Sequence, residues 1–342
     1  MSNGLYFHIP FCRSKCPYCD FYSVKYEKEL AEKYTDRLID EMKKYSGSFD
    51  TVYFGGGTPS ILEPELIEKI ISSAREQFII DDNSEITIEC NPSKNLEGDF
   101  EKYVGYGINR VSIGMQSARN KERFALGRSA GQAQVAKAVA DAKKAGITNI
   151  SLDIMLGTPY QTLDSLDETF EFTDKMNVTH ISAYMLKIEE GTKFFEMKDR
   201  LALPDEDTVC EMYLKTVQSL KSLGFNQYEI SNFSKPGFES RHNLKYWLLE
   251  EYLGIGASAH SFWQGKRFFY DSDFIPVSDG DGGSDEERIM LGMRLNRGIS
   301  KDLVKKDYSP FVKMGLLWEA DNNIGLTVKG MLLSNTVIGA LI

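Results

Sequence analysis

His8-Ile9-Pro10-Phe11-Cys12-Arg13-Ser14-Lys15-Cys16-Pro17-Tyr18-Cys19-Asp20-Phe21 places three of the chain's five cysteines within eight residues, in the spacing C-x3-C-x2-C. A loop this short turns three thiolates toward one point. Three thiolates hold three irons of a [4Fe–4S] cube and leave the fourth open, whereas a cluster used only for electron transfer usually takes four cysteines. The open iron is a coordination position for a small molecule. Zinc is the competing reading, because Cys3His is an ordinary structural set and His8 stands four residues before Cys12. Against zinc, no second Cys or His knuckle exists: Cys90, Cys210, His180, His242 and His260 stand alone. His8 falls in Leu5-Tyr6-Phe7-His8-Ile9, which reads as a strand, so its side chain is free to point away from the loop. A disulfide fits an odd count of cysteines poorly, and no secretory signal precedes them. Spacing alone favours the open cluster at Cys12, Cys16 and Cys19.

The 342 residues suit one large α/β domain or two ordinary ones. A hydrophobic content of 42% with 26% charged residues belongs to a water-soluble chain. No apolar run approaches the ~20 residues of a membrane span. Free cysteines without an export signal predict the cytoplasm. A net charge of −10 argues against general affinity for nucleic acid or an anionic membrane.

Outward from the cysteines, β-rich runs alternate with helical patterns up to about residue 235. The strands expected are 5–9, 51–54, 85–90, 110–114, 149–154 and 180–185, each rich in Val, Ile, Phe, Tyr or Thr. Between them, 28–45 repeats Leu30, Tyr34, Leu38, Ile39 and Met42 at helical spacing, and 65–78, 132–145, 163–176 and 206–223 behave alike. This alternation implies parallel βαβ units, and six of them predict an α/β fold, a partial (β/α)6 TIM-like barrel. Ligands in such sheets bind at the carboxyl ends of the strands, where the cysteine loop lies. Three segments follow: the barrel at 1–235, a barrel-closing segment at 236–278, and 279–342. The last opens with the acidic, glycine-rich run 279–287, read as a linker or exposed loop, and ends in a small helical and β-hairpin appendage.

Gly55-Gly56-Gly57-Thr58-Pro59-Ser60 follows the second strand. Glycines let a backbone approach a ligand. By itself such a run is a tight turn, but it shares a rim with the cysteine loop.

The ordered motifs resemble the radical S-adenosylmethionine (SAM) superfamily, and within it the branch holding oxygen-independent coproporphyrinogen III oxidase and its heme-chaperone relatives. The resemblance rests on Tyr6 through Cys12, Phe54 through Ser60, Glu89-Cys90-Asn91-Pro92, and Asn109 through Ser117. It continues in Leu126-Gly127-Arg128, Leu152-Asp153 before Gly157-Thr158-Pro159, Tyr228 through Asn232, and His242-Asn243-Leu244-Lys245-Tyr246-Trp247. It implies that the open iron of the cluster chelates SAM, whose reductive cleavage gives methionine and a 5′-deoxyadenosyl radical. It also implies an electron donor to the cluster. Carried over residue by residue, Tyr6 and the Gly56, Gly57 and Thr58 backbone meet SAM. Glu89 accepts from an amino or ribose hydroxyl group, Asp153 from a ribose hydroxyl, Gln116 both donates and accepts, and Arg128 takes a carboxylate. Singly, each reads as an ordinary polar loop residue; jointly they make a ligand rim.

Two departures matter. The oxidase has a further cysteine two positions after the third, where this chain has Phe21 after Asp20, as the heme-chaperone branch does. That leaves the cluster intact and argues against porphyrinogen decarboxylation. The resemblance further implies that His242 binds heme, beside the flat surfaces of Tyr246 and Trp247. His260 reads first as a rim histidine and only second as a ligand. The second departure is length: 270–288 and the tail are shorter than the family leads one to expect. The expected function is a heme chaperone with a heme-acceptor protein as partner; the alternative is oxygen-independent oxidation of coproporphyrinogen III.

Overall fold

The six expected strands lie side by side in chain order. In the computed structural model, which describes residues 3–342, they are β1 (Asn3–Ile9), β2 (Ser48–Gly56), β3 (Ile79–Cys90), β4 (Arg110–Gln116), β5 (Asn149–Leu156) and β6 (His180–Met185). All five neighbouring pairs are parallel, with Leu5 opposite Val52, Val52 opposite Ile86, Ile88 opposite Val111, Val111 opposite Ile150 and Leu152 opposite Ile181. These apolar residues are buried and face the surrounding helices. The alternate residues are different in kind: Thr51, Tyr53, Glu85, Thr87, Glu89, Arg110, Ser112, Ser151, Asp153, His180 and Ser182. Period-two alternation therefore separates an apolar outer face from a polar lumen.

The crossovers are α1 (Lys28–Met42), α2 (Pro64–Gln77), α3 (Asp99–Gly105), α4 (Gln132–Lys144) and α5 (Leu163–Met176), followed by α6 (Glu206–Ser222). Their ends follow local chemistry. Pro64 occupies the first turn of α2. Thr162 and Ser165 form a reciprocal cap on α5, and Asn177 closes it at φ +44°. Asp205 accepts from the Thr208 N–H to start α6. Helix α1 turns slightly from its expected stripe: Ala31, Thr35, Leu38 and Met42 are buried, and Leu30 is exposed.

The sheet runs further than six strands. On the β6 side it adds a hairpin, β7 (Asn226–Glu229) and β8 (Asn232–Ser234), with β8 antiparallel to β6. After α7 (Arg241–Trp247) the chain crosses to the opposite edge. There β9 (Tyr252–Ile255) pairs in parallel with β1, and β10 (His260–Trp263), β11 (Lys266–Tyr270) and β12 (Pro276–Asp281) continue antiparallel. The order is β12-β11-β10-β9-β1-β2-β3-β4-β5-β6-β8-β7, so the segment 236–278 widens the sheet at β1 instead of joining β6 to β1.

The acidic run is exposed, as expected, but it is ordered into elements. Its first residues are the edge strand β12, and Ser284 caps α8 (Asp285–Gly292) by accepting from the Glu287 N–H. Acidic residues on an outermost strand discourage pairing with a further strand. The appendage contains the hairpin Leu317–Ala320 and Asn323–Leu326, with Ile299–Ser300 as third strand, and the helices Val328–Leu332 and Ser334–Leu341. It packs on α6, where the Tyr213 hydroxyl lies 3.4 Å from Met331 Sδ. Among the described residues no helix is long and apolar enough to cross a membrane.

Candidate cofactor and ligand site

The cysteine loop leaves the carboxyl end of β1 and is fastened by backbone hydrogen bonds. Phe11–Cys12 pairs with Val24–Lys25, the Val24 N–H donates to the Pro10 carbonyl at 2.8 Å, and the Tyr26 N–H donates to the Cys12 carbonyl at 2.9 Å. Inside the loop the Cys19 N–H donates to the Cys16 carbonyl at 3.1 Å. The glycine turn holds it from the other side. The Gly57 N–H donates to Ile9 and the Thr58 N–H to Phe11, each at 2.9 Å. Two of the amides expected to face a ligand are thus committed to the loop. Gly57 is needed for a related reason: a Cβ there would lie 2.8 Å from the Phe11 carbonyl oxygen. At Gly56, φ is +111° and a Cβ would strike the His8 imidazole at 2.7 Å.

Cys12, Cys16 and Cys19 are partly exposed and unpaired, with Cys12 Sγ 3.6 Å from Thr58 Oγ1. Burial raises the thiol pKa values of Cys12 and Cys19, and nearby thiols add to the effect. Cys90 is buried, its thiol pushed up to about 12 by burial, and belongs to the core. Among the described residues no three His, Cys, Asp or Glu side chains are gathered as a single ion would gather them. A cube spreads its ligands over separate corners, and three part-exposed soft sulfurs on one loop fit that donor set. His8 does not turn away from the loop as its strand position allowed. Its Nε2 lies 3.2 Å from the Tyr22 carbonyl oxygen and its Nδ1 3.3 Å from the Tyr6 hydroxyl.

Beside the loop lies a cavity of about 500 Å³, lined by Cys19, Gly56, Gly57, Thr58, Glu89, Gln116, Arg128 and Asp153. Seven of the eight residues expected to meet SAM therefore share one cavity. Such volumes are usual for small-molecule sites. The Tyr53 hydroxyl donates to Glu89 Oε1 at 2.9 Å and Ser112 Oγ to Asp153 Oδ1 at 2.8 Å. Arg128 Nη2 donates to the Tyr18 hydroxyl at 3.0 Å. Gln116 sits at φ +70°, where the β4–β5 register slips, and this irregular backbone aims its amide into the cavity. Arg110 lies in the lumen wall with its Nε unpartnered. Four carboxylates, Asp20, Glu89, Asp153 and Glu189, and three cations, Arg110, Arg128 and Lys187, thus line the space, an arrangement suited to a ligand carrying both signs of charge.

Burial, with Asp153 close by, pushes the Glu89 carboxyl from its ordinary 4.5 up to about 7. The folded chain therefore keeps this proton where the unfolded chain has released it. The Glu89 contribution to stability is intact below about pH 4.5 and is lost as the pH rises to about 7. Glu89→Gln, which stays neutral, should raise the melting temperature relative to the parent more at pH 8 than at pH 4.5. Thermal melts of cluster-free protein at the two pH values check this.

A second cavity, of about 600 Å³, adjoins the first and shares Asp20, Phe21, Gly56 and Glu89 with it. Tyr6 lines this second cavity, unlike the other residues expected at SAM. His242 lines neither. It is fully buried, with Nδ1 2.8 Å from Thr51 Oγ1 and Nε2 2.9 Å from the Tyr246 hydroxyl, and its N–H donates to Glu85 Oε1 at 3.1 Å. Burial, followed by Lys245, pushes its pKa down to about 3. Both ring nitrogens of His242 are engaged, and the contact with Thr51 fastens α7 to β2. Tyr228 acts alike, with its hydroxyl 2.8 Å from His180 Nε2 and accepting from the Ser240 N–H at 3.2 Å. Sequence reasoning passed over Tyr18, Tyr53, Ser112 and Arg110. The alternation of polar residues on β2 and β4 was the signal for the last three; nothing local pairs Tyr18 with Arg128.

Comparison with known proteins agrees with this geometry. The family model of the radical SAM superfamily matches residues 6–173. A heme chaperone HemW from Lactococcus lactis is 32% identical over 98% of this chain and 96% of its own length. The Bacillus subtilis heme chaperone HemW is 32% identical over 98% of each. Among solved structures, the coproporphyrinogen III oxidase HemN from Escherichia coli, a radical SAM enzyme, superposes with a TM-score of 0.85 over 99% of this chain and 90% of its own. At 20% identity that likeness establishes the fold. By motif order, architecture and full-length similarity, this chain belongs to the radical SAM superfamily, in the family of the HemW heme chaperones.

Proposed function

We propose that this protein is a cytoplasmic heme chaperone that binds heme and passes it to an acceptor protein. The observation that carries the reading is similarity to heme chaperones over almost the whole length of both chains. In this reading Cys12, Cys16 and Cys19 hold a [4Fe–4S] cluster, and the adjoining 500 Å³ cavity takes SAM. The cluster, when bound and supplied by an electron donor, provides one-electron chemistry and an open iron. The chain's own residues do the rest. Arg128 meets a carboxylate, Glu89 and Asp153 accept from amino or hydroxyl groups, and Gln116 bonds in both directions. The Gly56-Gly57-Thr58 turn keeps the cysteine loop against the cavity. The charge pattern of Arg110, Arg128, Glu89 and Asp153 supports a zwitterionic ligand.

Hemin added to cluster-loaded protein should give a Soret band and then move to an added apo-hemoprotein. The same sample, with SAM and a reductant, should leave coproporphyrinogen III unconverted. Rapid decarboxylation with no hemin binding would make the oxidase the correct reading.

A further inference from the structure

We propose that Arg110 builds a second anion site in the wall of the 500 Å³ cavity, and that this site takes a carboxylate of a lumen ligand other than SAM. The inference rests on the proposed reading only in placing SAM, with its single carboxylate, at Arg128 beside the cysteine loop.

Arg110 opens β4 on the lumen face. It is 1% exposed, yet it lines the cavity. Its Nε has no partner, and among the described residues no hydrogen bond or ion pair engages the guanidinium. A guanidinium carries five N–H donors in a planar fork, and leaving it buried without an acceptor is strongly unfavourable. The carboxylates whose field it feels are Glu85 and Asp153, and both are committed elsewhere. Glu85 accepts from the N–H groups of Arg241 and His242, each at 3.1 Å, and Asp153 accepts from Ser112 at 2.8 Å. The hydroxyls of Tyr53 and Tyr228, also near, are engaged by Glu89 and by His180 and Ser240. These groups keep the guanidinium charged and leave its donors unused. Thr87, opposite Arg110 in the β3–β4 pairing, is likewise buried with its hydroxyl unpartnered. A planar carboxylate matches the fork and accepts from both groups.

This place is separate from the one assigned to SAM. Arg128 Nη1 lies 3.6 Å from the position a Cβ at Gly114 would take, four residues along β4 from Arg110. Four residues of strand are about 13 Å, and the hydrogen bond between Ser112 and Asp153 lies between the two levels. SAM has one carboxylate, so one molecule of it leaves the second guanidinium open. A free small acid and the acid arm of a larger molecule, such as a tetrapyrrole, both present the chemistry that Arg110 would recognise.

The test uses the cluster-loaded full chain with saturating SAM. Thermal melts are taken along a titration with sodium succinate, against sodium chloride of equal ionic strength. Hemin and hemin dimethyl ester are titrated in parallel. The parent should be stabilised saturably by succinate beyond chloride, or bind hemin more tightly than the ester. A response to succinate identifies a free acid, and a preference for hemin over its ester identifies an acid arm. Arg110→Lys keeps the charge but loses the fork. It should weaken the response about tenfold and leave the effect of SAM on the cluster spectrum intact. A parent indifferent both to succinate and to esterification would overturn the proposal, and so would an undiminished response in folded Arg110→Lys. Where that variant does not fold, a crystal structure of the parent with the responding ligand decides: a carboxylate on Arg110 supports the site, and one on Arg128 or elsewhere overturns it. A cluster spectrum indifferent to SAM would count against the cofactor reading alone.

Discussion

Anaerobic reconstitution of the parent chain should give about four irons per chain, the content of one cube, and alanine at Cys12, Cys16 or Cys19 should remove most of that iron. The loss should be similar at each position, because two thiolates cannot hold a cube whose other irons lack protein ligands. Alanine at Cys90 or Cys210 should leave the iron content unchanged. Cys90 is buried in the core, where its thiol is pushed up to about 12, and Cys210 lies on α6. Iron and sulfide analysis with the visible spectrum reads the result. Stoichiometric zinc in protein purified without oxygen, with no uptake of iron, would return the site to the structural zinc reading.

Gly57→Val should also lower cluster loading severalfold, for a reason different from the one the motif invites. The glycine turn invites the view that a side chain would block a ligand. The structure places a Cβ at residue 57 against the backbone of Pro10 and Phe11, at 2.8 Å. Backbone cannot rotate out of the way as a side-chain tip can. The substitution should therefore push the cysteine loop off the turn and break the hydrogen bonds from Gly57 and Thr58 to Ile9 and Phe11. Overpacking of this kind costs about 1–3 kcal/mol. The melting temperature should fall and reconstituted iron should drop severalfold. Gly105→Ala is the control: it ends α3 with open space around it, and it should leave both measurements unchanged or slightly improved. Full iron loading in Gly57→Val would show that the loop does not need the turn.

The architecture was legible because its signals are local. Six apolar runs bounded by turn residues became six parallel strands, and the helical stripes between them became the crossovers. Polar residues at strand ends identified the cavity, because parallel strands all finish on one rim. Less legible was anything that depended on partners distant in the chain. Strand β9 reads as a short apolar run, and only the packing of 236–278 across the far edge shows that it extends the sheet at β1. The acidic run 279–287 has a loop's composition, yet its first residues form an edge strand because β11 offers unpaired backbone groups.

The sequence by itself determined the cysteine loop, the order of the six parallel strands and the rim on which the polar strand-end residues stand. C-x3-C-x2-C spacing and period-two alternation act over a few residues and leave little choice. Tertiary structure alone decided what each polar side chain touches. Thr51 of β2 and Tyr246 of α7 meet the two ring nitrogens of His242 and Glu85 of β3 accepts from its backbone N–H, whereas His260, in an unremarkable Gly-Ala-Ser-Ala-His run, stays exposed at the start of β10. Which groups meet a histidine's nitrogens depends on residues that the fold brings together from distant strands, and spacing along the chain carries no record of them.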